Sequence, residues 1–415
     1  MHLKSFRSPL INLFLTKFSR NHIETTFQYW IFISNVILGH TIFFYVYNIM
    51  ERLHCAICNS DSFQHIYTLA DYPITPSSSR LDMTTDEFQD CTFIECMVCG
   101  CVQLKTLIDP VKLYQNFNKM IDTTPTWKEH HRLFSIFVLE NNTHNTILEI
   151  GGSSGPLYKL LSDTGINYII MDIADSEKRP TEVQFIQGNC ENFDFTGYKS
   201  VVLSHTFEHL YFPRKFVENL CKASVESVFI SIPNVDHLYE SENISILHNE
   251  HTFYIGNNEI QYLFSHFGYS CVKSYNFRTH SLFYHFVRDN NTVHYALNLN
   301  IERGNHMREI FIKYETRMKD IDISTPCFIC PGAHYGQKIY YYLRRFSNHI
   351  QGFIDNDPLK QGRRVYGTPS YVYSPDILAK YKGTTICLIL YAGPYTEELK
   401  RQLDMIHPSI KYIAI

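Results

Sequence analysis

Four cysteines stand as two identical pairs, Cys55-Ala-Ile-Cys58 and Cys96-Met-Val-Cys99. Each pair sets two thiolates on one tight turn, and two pairs complete the tetrahedral sulfur set that zinc prefers, with no position left for water. A zinc ion held by Cys55, Cys58, Cys96 and Cys99 would therefore be structural. The 37 residues between the pairs exceed the commonest finger spacing, which favours a stapled miniature domain over a nucleic-acid finger. A redox pair or separately buried thiols are the other readings of the same residues.

A second group follows. Gly151, Gly152 and Gly155 come directly after the apolar run Ile147-Leu-Glu-Ile150 and before a helix-forming stretch. Glycine lets the backbone approach a ligand closely, and the amides and dipole of the following helix then face it. Asp172 ends the next apolar run, 21 residues after Gly151, where a carboxylate can accept hydrogen bonds from both hydroxyls of a ribose.

The elements that must position these groups alternate. Ile147–Ile150, Tyr168–Asp172, Val183–Ile186, Ser200–Ser204 and Ser227–Ile232 are short β-rich runs separated by helix-length segments, the pattern of a doubly wound α/β domain with a parallel sheet. A helix is expected in the second half of Tyr114–Leu139. The polar stretch Asp289–Asn305 marks a boundary, and beyond it Pro326–Cys330, Gly352–Asp355 and Thr385–Leu390 repeat the rhythm on a smaller scale. The expected division is 1–49, a hydrophobic leader; 50–110, a zinc-binding module; 111–290, a Rossmann-like core; and 291–415, a smaller Rossmann-like α/β domain.

Composition bounds the partners. The 415 residues carry 37 Lys and Arg against 41 Asp and Glu, a formal charge of −4, without the basic run or basic-aromatic interleaving that tracks a phosphate backbone, so no nucleic-acid partner is expected. Twelve cysteines, four of them arranged as thiolate ligands, suit a reducing, cytoplasmic compartment. Thr25–Met50 contains no charged residue and is long enough to span a bilayer, with Lys4, Arg7, Lys17 and Arg20 ahead of it. That charge placement would export the cysteines, in conflict with reduced thiolates. A membrane anchor through residues 25–50 and a translation start at Met50 both stay open.

The form Glu149-x-Gly151-x-x-x-Gly155 resembles the first motif of S-adenosylmethionine-dependent methyltransferases. Gln187-Gly-Asn-Cys190 lies where that family contacts adenine, and Ser204-His-Thr-Phe-Glu-His-Leu210 is similar to its segment beneath the methyl donor. With the cysteine pairs ahead and Pro331-Gly-Ala-His-Tyr-Gly336, Phe353–Gly362 and Gly367-Thr-Pro369 behind, residues from Glu51 onward resemble the zinc-containing sugar C-methyltransferases of deoxysugar biosynthesis. The resemblance implies S-adenosylmethionine held by Glu149, Gly151, Gly152, Gly155, Asp172, Asn189 and His205, and a nucleotide-linked keto sugar as substrate, with the tail lining its groove. His248-Asn-Glu-His251 resembles the family's Tyr-x-Glu-His segment, which implies His251 as catalytic base, Glu250 orienting it and His248 beside it. Removing the proton beside a ketone makes carbon nucleophilic enough to take a sulfonium methyl.

Departures fall where the sugar should lie. His248 replaces tyrosine, Thr279-His-Ser-Leu-Phe283 lacks the family's glycines and arginine, Phe117 and Lys119 stand for tyrosines, and Ser153-Ser154 replaces Asn-Asp. Methylation of a sugar oxygen or nitrogen, with His209 or His251 as a simple deprotonating group, and a catalytically idle nucleotide-binding protein are the alternatives.

Overall fold

In the computed structural model the described residues are 50–415, except 77, 81, 116–124, 177, 243, 290, 298–301, 333 and 392–395. Of residues 1–49 only two-residue strands are described, so the expected leader and anchor lie outside the described residues, as do Phe117 and Lys119. Among the described residues, no helix is long and apolar enough to cross a membrane. Residues 50–415 form one compact unit.

The N-terminal module is built on three antiparallel strands, β1 (Phe63–Pro73), β2 (Phe88–Cys96) and β3 (Val102–Leu104). The first cysteine pair precedes β1 and the second forms the turn between β2 and β3, so the hairpin brings the pairs together.

Helix α1 (Pro125–Asn141) buries Phe134, Phe137 and Val138, the i, i+3, i+4 spacing of one helix face. It packs against a sheet formed by β4 (Thr146–Ile150), β5 (Asn167–Asp172), β6 (Gln184–Gln187), β7 (Ser200–Ser204) and β8 (Ser227–Pro233), with helices α2 (Pro156–Leu161) and α3 (Pro213–Lys222) among the crossovers. A two-residue strand, β9 (Phe253–Tyr254), and α4 (Asn257–His266) then lead to the hairpin of β10 (Tyr269–Phe277) and β11 (Ser281–Arg288). The sheet order is β6-β5-β4-β7-β8-β11-β10, parallel except where β11 lies antiparallel to both neighbours. Strand order reverses between β4 and β7, and a ligand crevice opens at the carboxyl ends of strands at such a switch point. This is a Rossmann-like α/β sheet with an antiparallel hairpin on one edge. Glu149, Gly151, Asp172 and His205 all sit at that end.

Strand β9 does not join this sheet. It pairs with β3, adding a fourth strand to the module, with Tyr254 opposite Val102 and Phe253 opposite Gln103. The segment just before it, which contains His248, Glu250 and His251, is thereby tied to the module.

Helix α5 (Glu302–Lys319) begins inside the polar stretch expected as a boundary and packs on β1. The tail follows: β12 (Cys327–Cys330), α6 (His334–Leu343), β13 (Ile350–Ile354), β14 (Val372–Tyr373), β15 (Ile386–Leu390), α7 (Thr396–Ile406) and β16 (Ile410–Ala414), a parallel sheet in the order β14-β13-β12-β15-β16. Ile66, Phe93 and Leu104 of the module, Met307 and Phe311 of α5, and Ile339 and Phe353 of the tail share one apolar cluster. Burial of that cluster fixes the tail against the module.

Candidate active site

The turn after β4 is shaped for close approach. Gly151 and Gly155 hold φ values of +73° and +70°, conformations that L side chains rarely adopt. A Cβ on Gly151 would stand 2.3 Å from Thr206 Oγ1, and one on Gly152 would stand 2.7 Å from Glu149 Oε2. Glycine is thus demanded by neighbours as well as by φ. Glu149 is buried under the turn and accepts a hydrogen bond from the Tyr168 hydroxyl (3.0 Å). Asp172 closes β5; its Oδ2 accepts from the Ser153 amide (3.0 Å), which locks the turn to the carboxylate.

A cleft with about 630 Å³ of atom-free space opens between these groups. Tyr114, Gly151, Asp172, Gly188, Asn189, Thr206 and His209 line it. Asn189 caps the next turn by accepting from the Glu191 amide (2.9 Å). A neighbouring hollow is lined by Gly152, Ser153, Ser154, Trp127, His131 and His205. Of the residues expected to hold the cofactor, Gly155 and Glu149 support the turn while Gly151, Asp172 and Asn189 face the cleft. Tyr114, Trp127 and His131 were not singled out from sequence. They reach the site from segments whose place is set only by packing.

Beyond the cleft lies a set of imidazoles. His205 shares a hydrogen bond with the Ser281 hydroxyl through Nε2 (2.8 Å) and places Nδ1 3.3 Å from Glu208 Oε1. His209 shares a hydrogen bond with the Tyr114 hydroxyl (2.9 Å) and lies 3.7 Å from Glu250 Oε2. The ring of His251 meets that of His209 edge-on at 5.0 Å and stacks on His248 at 4.3 Å; His248 stacks in turn on His334 of the tail at 4.2 Å. Glu250 Oε1 is 3.9 Å from His248 Nδ1. Lys338, also of the tail, is buried, and the Ile244 carbonyl accepts from its ammonium (3.4 Å).

Burial pushes the pKa values of His248 and His251 well below the usual histidine value, with the neighbouring cationic groups adding to the effect. Burial likewise lowers Lys338, against the opposing pull of Glu250. The structure therefore brings His248, Glu250 and His251 together beside His209, which lines the cleft, and adds His334 and Lys338 of the tail, which the sequence does not single out. The departure at Thr279–Phe283 falls in the same region, where His280 and His205 both engage Ser281.

The four paired cysteines also converge. Cys55 Sγ lies 3.5 Å from Cys99 Sγ, Cys58 Sγ lies 3.5 Å from Cys96 Sγ, and all four sulfurs are within 4.8 Å of one another. The Ile57 and Val98 amides donate to Cys55 and Cys96 (3.4 Å each), and the Gln103 side chain donates to Cys55 (3.3 Å). Sulfurs about 2.3 Å from a tetrahedral ion lie a little under 4 Å apart, so the donor set fits zinc. Cys101 is buried alongside, with its thiol directed at backbone carbonyls, and Cys91 packs in the module's core.

Residues 123–274 match the model of a family described as a methyltransferase domain. No curated protein matches the chain. Among solved structures, magnesium protoporphyrin IX methyltransferase from Synechocystis PCC 6803 with bound SAH is 15% identical, with 40% of this chain and 84% of that chain covered and a TM-score of 0.33. N-methyltransferase NodS from Bradyrhizobium japonicum WM9 is 13% identical, with 40% and 90% covered and a TM-score of 0.33. PH0226 protein from Pyrococcus horikoshii OT3 is 14% identical, with 42% and 98% covered and a TM-score of 0.36. Likeness at that level decides nothing about substrate. The matched segment spans α1, the glycine turn, Asp172 and the His251 segment, so the chain carries a methyltransferase domain with a Rossmann-like fold.

Proposed function

We propose that this enzyme moves the methyl group of S-adenosylmethionine to a nucleotide-linked keto sugar, at the carbon beside the ketone, with His251 as base. In that reading Gly151 gives the donor's backbone-lined seat, Asp172 holds its ribose and Asn189 borders its adenine. His251 takes the proton, Glu250 steadies the imidazolium, and the electron pair left on carbon attacks the methyl as the carbon–sulfur bond breaks toward sulfur. A histidine kept unprotonated by burial is available to accept a proton at neutral pH. The four-cysteine set holds a structural zinc, and the tail walls the acceptor end through His334 and Lys338.

The observation that carries the reading is the place of His251: 8% exposed, against His209, whose ring lines the cleft shared with Gly151 and Asp172. A keto sugar incubated with protein in deuterated water, without methyl donor, should lose its α proton. His251→Ala should slow that exchange by roughly 10² to 10⁴, the usual share of a general base; equal rates in the two proteins would reject the base.

A second reading, transfer to a sugar oxygen, is favoured by one feature, the gathering of ligating atoms of Glu208, His209 and His251 within 4.8 Å of one another. Labelling the donor methyl with carbon-13 and reading its attachment in the product separates carbon from oxygen.

A further inference from the structure

Glu208, His209 and His251 each offer one ligating atom, and the three atoms lie within 4.8 Å of one another. Glu208 and His209 sit in the one-turn helix Phe207–His209 that follows β7. His251 comes from the segment that β9 ties to the module. The Thr252 amide donates to the Glu208 carbonyl (3.0 Å) and the Leu104 amide donates to the Thr252 carbonyl (2.9 Å), so main-chain bonds clamp the two ligand-bearing loops together.

We propose that Glu208, His209 and His251 bind a divalent first-row transition metal ion beside the methyl-donor cleft. The site is separate from the four-cysteine set and rests on the methyl-transfer reading only for its neighbour.

Two imidazoles and one carboxylate form a donor set suited to Zn²⁺, Mn²⁺ or Fe²⁺ rather than to the all-oxygen shells of Mg²⁺ and Ca²⁺. An ion about 2.1 Å from each ligand sets ligand atoms about 3 to 3.5 Å apart. His209 Nε2 and Glu208 Oε1 are 3.9 Å apart, a gap that a small side-chain rotation closes. The groups behind the ligands point the same way. A metal-bound imidazole ordinarily uses its second nitrogen to bond a neighbour, which fixes the tautomer. His209 does this: Nδ1 engages the Tyr114 hydroxyl (2.9 Å) with Glu250 Oε2 at 3.7 Å, leaving Nε2 toward Glu208. His205, itself anchored on Ser281, stands 3.3 Å from Glu208 Oε1 and orients that carboxylate. Glu208 is 2% exposed, so the carboxylate of the set sits out of water beside the two imidazoles.

Three protein ligands leave positions for water or a substrate oxygen. Because His209 lines the cleft, a hydroxyl or keto oxygen of the acceptor can reach the ion, which would polarise it. A nitrogen committed to the metal takes no proton, so the ion belongs with transfer to a sugar oxygen, where it would lower the pKa of the bound hydroxyl and His251 is not the base.

Mn²⁺ is the probe, because the cysteine set selects softer ions. The full chain is treated with a mild chelator that leaves the sulfur-bound zinc, then titrated with Mn²⁺ and followed by electron paramagnetic resonance, with S-adenosylhomocysteine binding measured by calorimetry on the same samples. The expected result is one Mn²⁺ per chain, displaced by Zn²⁺, with affinity lowered at least tenfold in Glu208→Gln, His209→Gln and His251→Gln while S-adenosylhomocysteine still binds to Glu208→Gln and His251→Gln. Wild-type protein that binds S-adenosylhomocysteine but takes up neither Mn²⁺ nor a second zinc would overturn the metal site alone. The site is equally overturned by variants that bind Mn²⁺ as tightly as wild type. Mn²⁺ uptake without S-adenosylhomocysteine binding would leave the metal site standing and remove the methyl-donor assignment of the cleft.

Discussion

Arg364 and Asp86, 278 residues apart, meet as a forked pair, Nη1 to Oδ2 at 2.5 Å and Nη2 to Oδ1 at 2.7 Å, with both side chains almost wholly out of water. The Gly367 amide donates to the same carboxylate (2.8 Å), and Ser78–Ser79 pairs with Arg364–Val365 as a short antiparallel ribbon beside it. The tail is thus held to the module by charge and backbone as well as by the apolar cluster.

Removing one partner of a buried pair leaves the other charge without compensation, which typically costs about 3 to 5 kcal/mol. Arg364→Met should lower the stability of the full chain by about that amount in urea unfolding, and Asp86→Asn combined with Arg364→Met should recover part of it. A single-variant loss below about 1 kcal/mol would mean that the pair does not hold the tail.

Asp172→Ala should weaken S-adenosylhomocysteine binding by about 10- to 100-fold, the worth of one or two hydrogen bonds to a charged acceptor. Isothermal calorimetry reads this directly. An unchanged affinity would show that the carboxylate does not hold the ribose.

Gly151→Ala adds a methyl group 2.3 Å from Thr206 Oγ1 at φ +73°, so the strain joins a steric clash. The left-handed conformation alone costs about 1 to 2 kcal/mol for alanine. Gly165 is the control: it has φ +77° and nothing within 4 Å of an added Cβ. Gly165→Ala should lower the melting temperature modestly and leave S-adenosylhomocysteine binding intact, whereas Gly151→Ala should abolish that binding.

Cys96→Ser should remove one zinc per chain by elemental analysis and destabilise the module. Cys101→Ser, at a buried thiol beside the cluster but outside it, should keep the metal. Equal zinc contents in the two variants would refute the four-cysteine site.

Acid should destabilise the protein early. Burial lowers the pKa of His280 to about 3 and that of His285 to about 4, and drives His130 lower still. Between these values and the unfolded value of about 6.5, the unfolded chain binds protons that the folded chain refuses, so stability falls as pH drops, by up to about 1.4 kcal/mol per pH unit for each such histidine. The melting temperature should therefore decline below about pH 6.5, and His285→Phe, which keeps the stack on Phe229, should flatten the slope. An identical slope would exclude His285 as a contributor.

The core strands were legible because each is a short apolar run ended by a turn-former: Ser200–Ser204 was placed to the residue, while the first strand gained Thr146 and the fifth gained Pro233. The edge hairpin of β10 and β11 was not read, because most of β10 is exposed and lacks the apolar signal of a buried strand. The boundary expected at Asp289–Asn305 is one in composition only, since α5 starts at Glu302 and ties the tail to the module.

The chain's local order was enough to determine the strand-glycine-helix turn, the carboxylate one strand away and the two cysteine pairs, because each is a short-range pattern whose chemistry depends on spacing along the backbone. The company each residue keeps was decided only by the tertiary structure. His251 meets His209 because β9 leaves the central sheet to pair with β3. His334 and Lys338 reach the same spot because the tail and the module bury one apolar cluster together. Such contacts join residues from far apart in the chain, and the physics that selects them is the shared burial of whole faces, which no short stretch of sequence encodes.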